Sequence, residues 1–217
     1  MILSDLVGII ADDLTGANDT ALQFQQRGAS TKILLDAECE PKVKAGTEVW
    51  ALSSESRNVP VEVAISRVER AVTTFTENFS FDYYYKKIDS TLRGNTGLEI
   101  IAMLEAAQKE IAIVAPAYIE EKRTTIGGYQ LLDGMAIERT QCALDPKAPI
   151  FDSYIPDILK KDLNPQLHAL IGNIEFKDYI YLSNTEYRSF KESNLVFIES
   201  RMNGKPGLFV DKPLIMY

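Results

Sequence analysis

Over the first 115 residues, short apolar runs alternate with stretches that repeat their apolar positions at helical spacing. Leu6 to Ala11 reads as a buried strand, and a polar loop follows it from Asp12 to Gly16. Ala17 to Arg27 then carries Ala17, Ala21, Leu22 and Phe24 on a helical stripe, with Gly28 where a glycine ends a helix. Thr31 to Leu35 and Glu48 to Leu52 are the next expected strands. Pro60 opens a long helix whose apolar positions include Val63, Val68, Val72 and Phe75. Proline suits a first helical turn, where its missing N–H costs nothing. Phe81 to Lys87 is aromatic and strand-prone, Thr96 to Lys109 is amphipathic, and Ile111 to Ala115 is wholly apolar.

Strands that alternate with helices predict an α/β fold. The expected form is a mainly parallel sheet with flanking helices, Rossmann-like, joined by right-handed crossovers. After Pro116 the pattern changes. Gly127 to Leu132 and Met135 to Thr140, joined by Asp133-Gly134, predict a β-hairpin, and Tyr154 to Lys161 a short helix. The reading is one α/β domain over 1–217, with a motif-bearing core over 1–160 and a less regular part over 161–217. From Ser189 onward, Asn203-Gly204, Pro206-Gly207 and Pro213 interrupt the chain, and a frayed or incomplete edge is expected.

Ligands of such folds sit beyond the carboxyl ends of the strands. Three polar clusters fall there, at Asp12–Gly16, Ser53–Asn58 and Asp89–Asn95, and this coincidence predicts a single site. In the first, Asp12 and Asp13 are adjacent carboxylates before a helix, able to hold hydroxyls, act as a base or bind a metal. The same residues are equally ordinary helix caps. In the second, Lys87, Asp89, Ser90 and Arg93 offer charge-assisted donors for a carboxylate or phosphate. A solvated loop with an Asp89–Arg93 contact is the plainer alternative. Lys86 and Lys87 fall on opposite faces of a strand, so at most one serves the site, and Lys86 is expected to be solvated. Arg123 to Tyr129, with two threonines and two glycines, could wrap an anion or simply make a hairpin. Arg57, in Ser54–Asn58, is a weaker signal.

Composition narrows the classes. A net charge of -8 and 46% hydrophobic residues suit a soluble protein that acts on small molecules rather than nucleic acid. Two cysteines, Cys39 and Cys142, lack metal-like spacing and fit a reducing compartment. No apolar run approaches the roughly 20 residues of a membrane span. The acidic start of the chain is not a signal peptide, so a cytoplasmic location is expected. The lone His168 lies far from every cluster and reads as a surface or packing residue. Neither GxxxxGK[ST] nor GxGxxG occurs. Adjacent Asp12 and Asp13 also lack the Asp-x-Asp-x-Thr spacing of haloacid dehalogenase-type phosphatases.

At these residues the sequence resembles the four-carbon acid sugar kinase family. ADDLTGANDT, YKKIDSTLRGN, VAPA with RTTIGGYQLLDG, and DP…P…DSYIP follow one another in the family's order over roughly residues 6 to 160. The resemblance implies an ATP-dependent kinase that phosphorylates the terminal hydroxyl of threonate, erythronate or a 3-oxo-tetronate, with Mg²⁺. It implies Asp12 and Asp13 at the sugar hydroxyls, one of them as catalytic base. Arg57, Lys87, Asp89, Ser90, Arg93 and Arg123 would bind the acid substrate. This chain departs from the family's loop at Ile119 to Lys122, just before Arg123. The family's C-terminal nucleotide-binding half is not represented in these 217 residues. Its ATP site is therefore expected outside these residues, either lost by truncation or splitting of the gene product or carried by a separate partner. The alternative is a stand-alone or truncated sugar-acid binding module without activity.

Overall fold

A computed structural model describes residues 6–38, 46–109, 111–174, 195–199 and 214–216. In chain order it contains β1 (Val7–Ala11), α1 (Leu14–Gln26), β2 (Thr31–Leu34), β3 (Val49–Ser53), α2 (Val61–Asn78), β4 (Tyr83–Lys87), α3 (Thr96–Ala106) and β5 (Ile111–Val114). There follow β6 (Arg123–Ile126), β7 (Tyr129–Leu132), β8 (Met135–Ala136), α4 (Ile155–Lys160), β9 (Ile171–Ile174), β10 (Leu195–Glu199) and β11 (Leu214–Met216). Each expected element of the first 115 residues is present, with ends moved by up to three residues.

The main sheet has the order β2-β3-β1-β4-β11-β5-β10-β9. Its pairs are parallel from β2 through to β5, while β10 runs antiparallel to both neighbours. β11 lies inside the sheet, hydrogen-bonded to β4 and β5, and this corrects the expected frayed edge for Leu214–Met216. Between β4 and β5 its backbone groups find partners on both sides. Cys39 and most of the stretch from Ser189 onward lie outside the described residues.

Strand side chains alternate between faces, so each strand feeds two cores. Val7, Ile9, Ala11, Val49, Ala51 and Tyr85 pack with Ala17 and Ala21 of α1. Ile10, Trp50, Leu52 and Tyr84 face the other way, against Val68 and Phe75 of α2 and Ile100 and Met103 of α3. Burial on both faces explains why these strands read as continuous apolar runs. Each such fully buried large side chain contributes about 1.5–3 kcal/mol.

α1 begins three residues before its apolar stripe because Asp13 caps it, accepting from Gly16 N at 2.6 Å. Gly28, at φ +94°, ends it as expected. The expected hairpin is part of a three-stranded antiparallel sheet of β6, β7 and β8. Asp133 and Gly134, at φ +52° and +78°, make its second turn. β8 is shorter than expected, because a 3₁₀ turn begins at Ile137, which is fully buried. Among the described residues no helix is long and apolar enough to cross a membrane.

Candidate functional site at the strand ends

The sheet order changes direction at β1, which has β3 on one side and β4 on the other. Loops leaving a parallel sheet at such a point diverge and open a crevice. Asp12 and Asp13 leave β1, Ser54 to Asn58 leave β3, and Lys87 ends β4. The three predicted clusters therefore meet at one end of neighbouring strands.

Arg57 is the hub. Its Nε donates to Asp12 Oδ2 at 2.7 Å and its Nη2 to Asp12 Oδ1 at 2.8 Å. Its Nη1 lies 2.5 Å from Asp13 Oδ2. The Asp12 side chain is 5% exposed and that of Asp13 27%, so the second carboxylate is the more open of the two. The two loops are also joined through backbone, with Ser56 N and Arg57 N donating to Asp12 O. Burial works to lower the Arg57 pKa, but hydrogen bonding to Asp12 and the charges of Asp12, Asp89 and Asp13 outweigh it and raise it.

Lys87 and Asp89 extend the cluster. The Lys87 ammonium donates to Ile88 O at 2.6 Å. Burial lowers its pKa, with Arg57 adding to the effect and Asp12, Asp89 and Asp13 opposing it. Asp89 accepts from Thr91 Oγ1 and Arg93 Nε, each at 2.6 Å. Burial pushes the Asp89 carboxyl up, but Arg93 and Thr91 bind its anion and bring it below its ordinary value. Arg93 also donates through Nη1 to Asp145 Oδ2 at 2.9 Å. Asp145 is held down to about 2, first by the backbone N–H groups of Ala148 and Lys147 and then by Arg93.

Two glycines permit this closeness. A Cβ at Gly16 would stand 2.9 Å from Asp13 Oδ1 and 3.0 Å from Lys87 Cγ. At Gly94, φ is +96° and a Cβ would lie 2.9 Å from Arg57 O. Strain is also stored in non-glycine residues of the same loops, with Glu55 at φ +49° and Leu92 at φ +61°. Such conformations cost on the order of 1–3 kcal/mol and gather where surrounding structure overrides them.

The structure thus brings Asp12, Asp13, Arg57, Lys87, Asp89 and Arg93 into one charged cluster. Ser90, in the same loop as Asp89, is tied elsewhere by its backbone, its carbonyl accepting from Gln130 Nε2 at 2.6 Å. Gln130, fully buried, also binds Pro116 O and Thr125 Oγ1, tying the small sheet to this loop. Arg123 is held instead by Glu121, through both its carbonyl and its carboxylate. Its Nε is buried without a partner. The departing loop at Ile119–Glu121 is a 3₁₀ turn, closed by Lys122 at φ +58°. Gly127 and Gly128 are the turn of the β6–β7 hairpin.

A cavity of about 420 Å³ adjoins the cluster, lined by Arg57, Gly94, Asn95, Thr96, Lys147 and Lys161 among others. It shares Arg57 with the cluster, while Asp12, Asp13, Lys87 and Arg93 are not on its walls. Among the described residues, no three His, Cys, Asp or Glu groups converge as a metal site. Asp12 turns both oxygens to Arg57, and Asp13 turns Oδ2 to Arg57 and Oδ1 to Gly16 N. His168 rests half-buried near the carbonyls of Lys160 and Leu163, as a packing residue would.

A further expectation is overturned. Lys86 is not solvated: it is fully buried and paired with Glu99 of α3 at 2.8 Å. The alternation of β4 turns Lys86 towards the α2–α3 layer and Lys87 towards α1, so opposite faces were rightly expected. Sequence reasoning also gave no role to Glu99, Asp145 or Gln130. For Asp145 a signal existed in its place at the head of the DP segment; for Glu99, inside an apolar helix, there was little.

A model of the sugar-binding N-terminal domain matches residues 7–178. D-Threonate kinase of Salmonella typhimurium is 40% identical over 151 residues, covering 70% of this chain and 35% of the kinase. D-Erythronate kinase of Heliobacterium modesticaldum is 38% identical over 155 residues, with the same two shares, 70% and 35%. A crystal structure of a domain of unknown function from Bordetella bronchiseptica, with bound citrate and as a domain-swapped dimer, superposes with a TM-score of 0.67. It is 35% identical and covers 71% of this chain and 40% of that one. The chain therefore spans between 35% and 40% of the length of these relatives. Matched over most of its length, it belongs to the family of sugar-binding N-terminal domains of the four-carbon acid sugar kinases.

Proposed function

We propose that this chain binds a short polyhydroxy acid, of the threonate or erythronate type, as the substrate half of an ATP-dependent kinase. The observation that carries this reading is the mixed cluster at the strand ends. Two carboxylates suit sugar hydroxyls, and three cations, Arg57, Lys87 and Arg93, suit the acid's carboxylate. Relatives named as kinases of threonate and erythronate, and a neighbour with bound citrate, support the same ligand chemistry.

Within the cluster the roles divide by exposure. Asp12, buried and gripped by the Nε–Nη2 edge of Arg57, fixes that arginine. Asp13, the more open carboxylate, is the group that meets the accepting hydroxyl and orients or deprotonates it. Lys87 and Arg93 neutralise the acid from the β4 side, with Asp89 holding Arg93 in place. ATP with Mg²⁺ supplies the phosphoryl group, and the reaction depends on positioning and charge stabilisation more than on covalent chemistry. We place the nucleotide outside these 217 residues, because they contain no glycine-rich phosphate cradle. A reducing, cytoplasmic setting fits the buried free thiol of Cys142.

Titration calorimetry with D-threonate and D-erythronate tests the binding. A dissociation constant in the micromolar to low millimolar range is expected for at least one acid. Heat-silent titrations with both would overturn the reading. Adding ATP and Mg²⁺ to the chain alone should give little turnover, and robust phosphorylation would put the nucleotide site within it.

A further inference from the structure

Behind the Arg57 loop lies a second polar system, buried in the α2–α3 layer. Lys86 is fully buried and Glu99 is 2% exposed. Glu99 Oε2 accepts from Lys86 Nζ at 2.8 Å and from Ser56 Oγ at 2.6 Å. Ser54 Oγ lies 2.8 Å from both Ser56 Oγ and Ala11 O, and with the Ser56 proton on Glu99 its own proton serves one of these two contacts at a time. The line therefore runs from Lys86 through Glu99 to Ser56, next to Arg57, and on through Ser54 to Ala11, next to Asp12. Asn95, at the start of α3, adds hydrogen bonds from Nδ2 to Ser56 O and Val59 O.

Core stability alone does not explain such a pair. A buried ion pair is often replaced by apolar residues of similar volume at no loss, because its desolvation offsets its attraction. A third partner changes that balance. The hydroxyl of Ser56 reaches a carboxylate held rigidly by Lys86, and this fixes the backbone on which Arg57 stands. A fixed loop lets the guanidinium fork meet Asp12 without first losing conformational freedom.

We infer that Lys86, Glu99 and Ser56 are positioning residues that hold the Arg57 loop against the end of β1, so that Arg57 engages Asp12 and Asp13 in one geometry. The ligand consequence rests on the reading that this cluster binds a sugar acid; the positioning itself does not. Solution NMR reads it directly through the Arg57 Nε–H, assigned by its loss in Arg57→Lys, with D-threonate titration alongside. Ser56→Ala removes only the hydroxyl. The double variant Lys86→Met with Glu99→Leu keeps volume and removes the pair. Both should speed solvent exchange of the Arg57 Nε–H at least ten-fold and weaken D-threonate at least ten-fold, while the β1 amides of Ile9 and Ile10 keep their protection. Wild-type exchange in a folded variant would overturn the inference. So would failure of both variants to fold, or equal loss of protection in β1, since either marks a purely structural pair. If the unaltered chain binds neither D-threonate nor D-erythronate, the substrate reading fails and the Arg57 exchange alone decides the positioning.

Discussion

Arg57 grips Asp12 through one edge of its guanidinium, Nε to Oδ2 at 2.7 Å and Nη2 to Oδ1 at 2.8 Å, across 45 residues of chain. This fork joins the loops after β3 and β1, and no other side-chain type could make it. Lysine carries the charge but not the two parallel donors. Removing the arginine leaves Asp12 buried with its charge uncompensated.

Arg57→Ala should therefore cost roughly 3 kcal/mol, the lower end expected for breaking a buried pair, because Arg57 keeps some contact with solvent. Arg57→Lys should recover only part of it. Urea unfolding at neutral pH measures both, and a midpoint unchanged in Arg57→Ala would show that Asp12 finds another partner.

Asp145 should make an acid-labile contribution. Its folded-state pKa is depressed to about 2 from 3.8, so its stabilisation is present above the ordinary value and lost as pH falls through the folded one. The melting temperature of the native chain should exceed that of Asp145→Asn at pH 6, and the two should converge between about pH 4 and 2. A gap independent of pH would mean that the asparagine disturbs the loop for another reason.

Lys87 gives the opposite pH signature in binding. Its pKa is lowered by burial, so its charge is lost below the usual lysine range of about 10.5. Affinity for a sugar-acid anion should then fall on the alkaline side before free lysine titrates. Calorimetry from pH 7 to 10 should show this decline in the native chain and lose it in Lys87→Met, which should bind weakly throughout. A flat profile in the native chain would remove Lys87 from the carboxylate's contacts.

Gly94→Ala meets two penalties, a positive φ and a Cβ 2.9 Å from Arg57 O. Gly127→Ala meets only the first, since nothing stands within 4 Å of its Cβ. The first substitution should destabilise by more than the roughly 1 kcal/mol expected of the second. It should also weaken threonate binding, which Gly127→Ala should leave intact. Equal thermal shifts would show that the Arg57 loop yields to the extra methyl.

In a system completed by a nucleotide-binding half, Asp13→Asn should lower kcat with little change in KM, as loss of a group acting on the accepting hydroxyl would. Asp12→Asn should act mainly through stability and KM, because Asp12 serves Arg57. A reversed pattern would exchange their roles.

The sequence by itself determined the elements of the first 115 residues and the fold class. Strand runs such as Val7–Ala11 are legible because they are buried on both faces, and a helix such as α2 because one side only is. It also determined where the polar loops fall, since Asp12, Arg57 and Asp89 each follow an apolar run. What it left open was contact. Whether Asp13 caps a helix or meets Arg57 is a matter of tertiary position, and it does both. Lys86 and Lys87 are neighbours of one chemical type, and only the layer behind each decides that one is a sealed ion pair and the other a member of the cluster. Asp145 reaches Arg93 across 52 residues, and β11 enters the sheet between β4 and β5. Periodicity reports how a residue sits relative to its own element, whereas partners drawn from distant loops depend on the sheet order that brings those loops together.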